Sequence, residues 1–75
     1  MNKMYETVLT RLENKKAELK KEQEYFIVMC HNEINTGNFE RNAINNLIIM
    51  QQLKSEIAEL ENVCTMYQIF NKIVE

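Results

Sequence analysis

The scarcity of turn-forming residues constrains this chain more than any other feature. It contains no proline and a single glycine, Gly37, in 75 residues. Tight turns depend on these two residue types, so the composition disfavours sandwiches, barrels and sheets rich in hairpins. Hydrophobic residues nevertheless make up 45% of the chain and the net charge is only −2, which argues against a disordered tail. The sequence therefore predicts an all-α fold.

Apolar residues recur at a spacing of seven in both halves of the chain. In the first half Tyr5, Leu12, Leu19 and Phe26 form a stripe, which predicts an amphipathic helix over about residues 2–35. In the second half the a and d spacing of a coiled coil predicts a helix over about residues 39–74. The residues of this second stripe are Met50, Leu53, Ile57, Leu60, Cys64 and Tyr67. If the first stripe is continued at a spacing of seven, it reaches none of the residues of the second stripe. The heptad phase therefore shifts between the two halves of the chain.

The break in phase coincides with residues 35–38, which include Gly37. Glycine favours the left-handed conformation that often follows a helix end, and Asn38 can cap the next helix. A connection this short makes the helices antiparallel neighbours in a hairpin about 50 Å long. The alternative, one continuous helix in a long parallel coiled coil, is disfavoured by the phase shift. We predict a single domain over residues 1–75, an antiparallel two-helix hairpin of the coiled-coil type.

Folding the chain at its glycine also determines which charged residues face each other. Residues equally distant from the turn, one on each helix, come to lie at the same level of the hairpin. The resulting pairs have opposite signs, which supports the register, although exposed pairs of this kind contribute only about 0–1 kcal/mol each. The predicted neighbours are Lys15 and Lys16 near Glu59, and Glu18 and Glu22 near Lys54.

Two bands of apolar residues exceed what a single partner helix can cover. One lies beside the turn and the other at the open end of the hairpin, and each is apolar on more than one face of its helix. A lone hairpin with such surfaces is marginally stable, so we expect assembly into a four-helix bundle or a larger homo-oligomer. The predicted interface residues are Tyr25, Phe26, Ile27, Met29, Leu47, Ile48, Ile49, Met50, Val63, Met66, Tyr67, Phe70 and Ile73.

A polar and aromatic cluster gathers at the turn end, where six of the ten asparagines lie. Amides, a guanidinium and aromatic faces can recognise a nucleotide-like ligand. Asparagines also cap helices and keep loops hydrated, and this is the simpler interpretation. The residues of the cluster that could contact a ligand or a partner are Tyr25, His31, Phe39, Arg41, Asn42 and Asn45.

The sequence offers no set of residues suited to catalysis or to a bound metal. Cys30 and His31 are consecutive, so on a helix they point about 100° apart, and a structural zinc site needs about four ligands. Cys64 lies too far along the predicted rod to form a disulfide with Cys30. No glycine-rich phosphate loop and no serine–histidine–acid set occurs. We therefore expect a protein that is not an enzyme and holds no cofactor.

Charge and hydropathy disfavour two further classes of partner. The dense basic run of Lys15, Lys16, Lys20 and Lys21 is interleaved with glutamates, which argues against nucleic-acid binding. The apolar runs are too short to span a bilayer, and the first residues lack the apolar core of a signal peptide. We expect a cytoplasmic protein with no membrane partner.

These expectations lead to two main functional hypotheses, beside a less favoured third, a hairpin that binds nucleic acid through Lys3, Arg11, Lys15, Lys16, Lys20 and Lys21. The first is a non-enzymatic helical-hairpin module that homo-oligomerises and binds a protein partner through a helix face or through the turn end. The alternative is a small inhibitor of the kind that phages and mobile elements use, which would sequester a nucleotide-like ligand or bind a host defence protein. The short length and the lack of catalytic residues fit both.

Overall fold

The chain forms two α-helices that pack against each other, which confirms the predicted all-α fold. The computed structural model describes residues 3–32 and 34–74, with side chains described as far as residue 71. Helix α1 is Lys3–Asn32 and helix α2 is Phe39–Val74. No strand occurs among these residues. Helix α1 thus ends a little earlier than the residue 35 expected from the sequence.

Local sequence accounts for both helices. Neither contains glycine or proline, and each has a glutamate in its first turn, where the helix dipole favours negative charge. These glutamates are Glu6 in α1 and Glu40 in α2. The backbone carbonyl of Asn38 accepts a hydrogen bond from the N–H of Asn42 at 3.0 Å, which is the first hydrogen bond of α2. Asn38 therefore occupies the N-cap position of this helix.

The connection between the helices turns without a left-handed glycine, contrary to the sequence prediction. Neither Gly37 nor any other residue that the structure describes adopts a positive φ. A β-carbon at Gly37 would meet no atom within 4 Å. The backbone N–H of Phe39 instead donates to the carbonyl of Thr36 at 3.3 Å and so closes the bend just before α2. The turn therefore does not require glycine at position 37.

The two helices run antiparallel and form a rod of 59 × 15 × 14 Å. Residues late in α1 contact residues early in α2, and residues early in α1 contact residues late in α2. From the turn to the open end, such contacts are Glu22–Asn46, Lys15–Glu56 and Tyr5–Tyr67. Within the part of the chain that the structure describes, neither helix is long and apolar enough to cross a membrane.

The core of the rod is one seam of heptad a and d positions. In both helices every seam residue is buried or half-buried. On α2 the seam extends to Phe39, 11 residues closer to the turn than Met50, where the stripe found in the sequence begins. The seam residues are Tyr5, Val8, Leu12, Lys15, Leu19, Glu22, Phe26 and Met29 of α1, and Phe39, Ala43, Asn46, Met50, Leu53, Ile57, Leu60, Cys64 and Tyr67 of α2.

The open half of the rod contains an apolar core cluster. Leu12, Ile57 and Cys64 form a buried cluster there. Partly buried side chains pack against this cluster from both helices: Tyr5, Val8, Leu9, Leu19 and Leu60. Nearer the turn the seam becomes mixed, because charged and amide side chains alternate with the apolar ones.

Lys15 and Lys16 form ion pairs with α2, but not with the predicted partner, and no ion pair joins Lys54 to Glu18 or Glu22 among the described residues. Lys15 contacts Glu56 at 2.9 Å and Lys16 contacts Glu61 at 3.6 Å, whereas the sequence prediction placed both lysines near Glu59. The reason is the heptad position of each glutamate. Glu56 and Glu61 occupy the g and e positions that flank the seam, whereas Glu59 is at position c, farther from α1.

Candidate interaction surface

A polar pair interrupts the core near the turn. Asn46 is only 2% exposed, and its Nδ2 donates to Glu22 Oε2 at 2.6 Å and to the backbone carbonyl of Glu22 at 3.2 Å. The other amide atom, Oδ1, is buried and accepts no hydrogen bond from any described residue. A buried acceptor without a donor costs about 1–3 kcal/mol. The pair therefore contributes less to stability than apolar side chains would at the same place.

We interpret the Asn46–Glu22 pair as a contact that favours one alignment of the helices. A buried asparagine on a helical seam specifies register, because a slip of one helix along the other leaves the amide facing apolar side chains. The sequence prediction placed Glu22 near Lys54 and missed this contact. The sequence did contain an indication that Asn46 faces α1, since Asn46 lies one heptad before Leu53 on the same seam.

Lys15 is a second charged residue on the seam. Its ammonium lies 2.9 Å from the carboxylate of Glu56 and 4.0 Å from that of Glu18. The hydrogen bond to Glu56, followed by the negative charge of Glu56, raises the pKa of Lys15 above its usual value. Lys15 and Lys16 are therefore both engaged by glutamates of α2, which leaves them less suited to bind nucleic-acid phosphates.

Large apolar side chains are exposed in two groups, with a polar surface between them. The turn-end group is 42–57% exposed and consists of Tyr25, Ile27, Val28, Ile34, Ile44, Leu47, Ile48 and Ile49. The open-end group is 37–68% exposed and consists of Met4, Val63, Met66, Ile69 and Phe70. Exposed apolar side chains gathered in this way are typical of interaction sites.

Members of both groups share one side of the rod, which we call the g face. In an antiparallel pair of helices the g positions of both helices flank the seam on the same side. Two grooves show this directly: one is lined by both Tyr25 and Ile49, and the other by Arg11, Glu18 and Glu56. The g face consists of Met4, Arg11, Glu18 and Tyr25 of α1, and Asn42, Ile49, Glu56, Val63 and Phe70 of α2.

The g face is apolar towards both ends and charged in the middle. Met4 and Tyr25 are three heptads apart on α1, and Ile49 and Phe70 are three heptads apart on α2, about 32 Å in each case. Between these ends lie the exposed charges of Arg11, Glu18 and Glu56. The opposite flank of the rod, formed by the e positions, is mostly polar: Lys16, Gln23, Lys54, Glu61 and Gln68, together with Leu9, Cys30 and Leu47.

The residues predicted to contact a ligand at the turn end are only partly brought together. Three of the six, Tyr25, Asn42 and Asn45, line a groove of about 270 Å³ with Glu22, Asn46 and Ile49. His31 and Arg41 are exposed and do not line this groove, and Phe39 is half-buried on the seam. Because the Glu22 carboxylate lines the groove, an anionic ligand would meet like charge there.

The residues predicted at an oligomer interface differ in exposure. Tyr25, Ile27, Leu47, Ile48, Ile49, Val63, Met66 and Phe70 are exposed. Phe26, Met50 and Tyr67 are half-buried on the seam, and the ring centroid of Tyr67 lies 5.4 Å from that of Tyr5. For Met29 the prediction is wrong, because this side chain is 1% exposed and belongs to the core of the hairpin. Its d position directs it at α2. Ile73 lies outside the described side chains.

The cysteine and histidine side chains offer no metal site in the described part of the chain. Cys30 is half-buried and Cys64 is buried, and both are free thiols. No group of three or more histidine, cysteine or acidic side chains is arranged to hold a metal ion among the described residues.

A comparison with protein-family models, curated proteins and solved structures finds no match to this chain.

Proposed function

We propose that this chain is a non-enzymatic interaction module, a helical hairpin that self-associates and binds a protein partner as an assembly. The observation that carries the proposal is the g face, on which exposed apolar side chains from both ends of the rod share one side. Fully burying a large apolar side chain is worth roughly 1.5–3 kcal/mol, so covering several of them supplies a substantial driving force.

A second copy of the chain is the occupant best suited to this face. An interface between identical copies uses the same patch on both, so one contact buries the turn-end and open-end residues of both copies. Pairing two hairpins in this way produces a four-helix arrangement, which is a common solution for helices with apolar stripes. The polar e flank would remain in water.

Pairing through the g face leaves other apolar side chains exposed. Ile27 and Ile44 at b positions and Ile48 at an f position lie away from that face, and each is at least half exposed. An exposed apolar helix surface is the kind that a groove of another protein binds. These residues are therefore the proposed contact surface for a protein partner.

Sequestration of a nucleotide-like ligand has less support as a function. The turn-end groove contains the carboxylate of Glu22, and Arg41, the guanidinium that would bind a phosphate, does not line it. Inhibition of a host protein through an apolar helix surface is compatible with the proposed module, since it requires only that the partner be a protein.

Sedimentation velocity on two matched variants tests the proposal. Ile49→Glu places a charge on the g face, whereas Gln51→Glu places the same charge at an exposed b position one helical half-turn away. We expect Ile49→Glu to sediment as a single hairpin and Gln51→Glu to sediment as the wild type does, with equal helicity by circular dichroism. An Ile49→Glu variant with the wild-type mass would contradict self-association through the g face.

A further inference from the structure

We infer that the second copy packs on the g face in the antiparallel orientation, so that the turn end of each hairpin covers the open end of the other. This inference rests on the proposed self-association and adds to it the orientation of the two copies. The occupant of the face is a second copy of this chain, and the order of charges along the face determines its orientation.

A twofold axis allows two ways of laying one g face on another. With the axis along the rod, both turns lie at the same end and α1 of one copy lies over α2 of the other. With the axis across the rod, the turns lie at opposite ends, α1 lies over α1, and α2 lies over α2. In both arrangements the apolar ends of one g face lie over the apolar ends of the other. This is so because Met4 and Tyr25 on α1 are three heptads apart, as are Ile49 and Phe70 on α2. The apolar residues therefore do not select between them.

The charged middle of the g face does select between them. In the parallel arrangement Glu18 lies at the level of Glu56 of the second copy, because these two residues are nearly opposite within one hairpin, as the shared groove shows. Glu18 and Glu56 of both copies would then gather at the closing interface around Lys15, whose one positive charge per hairpin does not balance the two carboxylates. Like charges brought together at an interface disfavour the complex and suppress that orientation.

The antiparallel arrangement removes this repulsion and replaces it with attraction. Arg11 and Glu18 are one heptad apart and lie symmetrically between Met4 and Tyr25 on α1. An axis that crosses the rod midway between them places Arg11 over Glu18 of the second copy, and Glu18 over Arg11 of the second copy. The same operation places Met4 over Tyr25 of the second copy at each end. On α2 the same operation places Ile49 over Phe70 and Glu56 over Val63 of the second copy, and Glu56 keeps its ion pair with Lys15. The α1 side of the face is thus complementary to itself in both charge and apolarity.

Charge reversal at these two positions tests the orientation. We compare Arg11→Glu, Glu18→Arg and the double variant by sedimentation equilibrium, with helicity checked by circular dichroism. Lys20→Glu, an exposed b position away from the g face, is the control that makes the same change in charge as Arg11→Glu. Each single variant should lower the association constant about tenfold or more, the double variant should recover most of the loss, and Lys20→Glu should leave it unchanged.

In the parallel arrangement one variant, Glu18→Arg, would change the association constant in the opposite direction. Glu18→Arg would then face Glu56 of the second copy and strengthen association, which would overturn the inference. Association that none of the charge reversals changes would overturn it as well, because the g face would not be the contact. A wild-type chain that never associates would instead contradict the proposed function itself, so the two failures are distinguishable.

Discussion

Asn46 donates both of its amide hydrogen bonds to Glu22, one to the carboxylate and one to the backbone carbonyl, while its own oxygen is buried and has no donor among the described residues. This contact joins the two helices close to the turn, and it is satisfied only when Asn46 and Glu22 lie at the same level. We interpret it as the feature that aligns the hairpin, at some expense of stability.

Replacing the buried amide together with its carboxylate partner should therefore raise stability and loosen alignment. We expect Asn46→Leu combined with Glu22→Leu to increase the free energy of unfolding by about 1–3 kcal/mol, because the double variant removes an unsatisfied acceptor and leaves no half-buried carboxylate without its donor. The measurement is urea unfolding followed by circular dichroism, with amide NMR spectra to detect additional registers. Asn62→Leu, at an exposed position, should change the free energy by less than about 0.5 kcal/mol. A lower stability of the double variant would contradict the interpretation.

Met29 should be the most sensitive apolar residue near the turn. It is 1% exposed, so Met29→Ala leaves a cavity in the seam and should lower the free energy of unfolding by about 2–5 kcal/mol. Met29→Leu conserves volume and should cost less than about 1.5 kcal/mol. Urea unfolding measures both. Equal and small effects of the two substitutions would mean that Met29 lies on an exposed surface, as the sequence first suggested.

The turn should tolerate a side chain at its glycine. Because the φ of Gly37 is not positive and a β-carbon would meet no atom within 4 Å, Gly37→Ala introduces neither strain nor a clash. Alanine also reduces the conformational freedom of the unfolded chain, so we expect a gain of about 0.4–1 kcal/mol in unfolding free energy. Thermal unfolding of the variant beside the wild type checks this. A clear loss of stability would show that the turn needs the left-handed conformation after all.

The pair of Lys15 and Glu56 should make stability depend on alkaline pH. The folded state raises the pKa of Lys15, so the stabilising contribution is fully present below the unfolded value of about 10.4 and is lost as pH rises through the folded pKa. The melting temperature difference between wild type and Lys15→Gln should be constant near neutral pH and shrink above that value. Lys20→Gln, at an exposed position, should show no such change. A difference that grows with alkaline pH would contradict the pairing.

The sequence was sufficient to predict the two helices, since a spacing of seven and the absence of proline leave few alternatives. It was less informative about how the helices meet. Periodicity assigns Lys15 to the inner side of α1 but does not show which glutamate its long side chain reaches. An asparagine such as Asn46 is common both in loops and on seams, so its type alone did not reveal its burial. The prediction for Gly37 was wrong, because glycine can adopt a positive φ but also adopts the negative φ values that are open to every residue.

The candidate surface was predictable in outline only. The sequence identified the exposed residues Ile49 and Phe70 but could not show that they share a side with Tyr25 and Met4. That relation depends on the antiparallel pairing, which places the g positions of both helices together. Met29 was wrongly counted with them, because an apolar run around a whole helix does not distinguish the residue that faces the partner helix.

Sedimentation equilibrium of the wild-type chain tests the central claim, self-association, most directly. The chain has a mass of 9.0 kDa, and the measurement would be made from low to high micromolar concentration. We predict a mass of at least two chains, with dissociation only towards the lowest concentrations. A mass of 9.0 kDa at every concentration would contradict the claim.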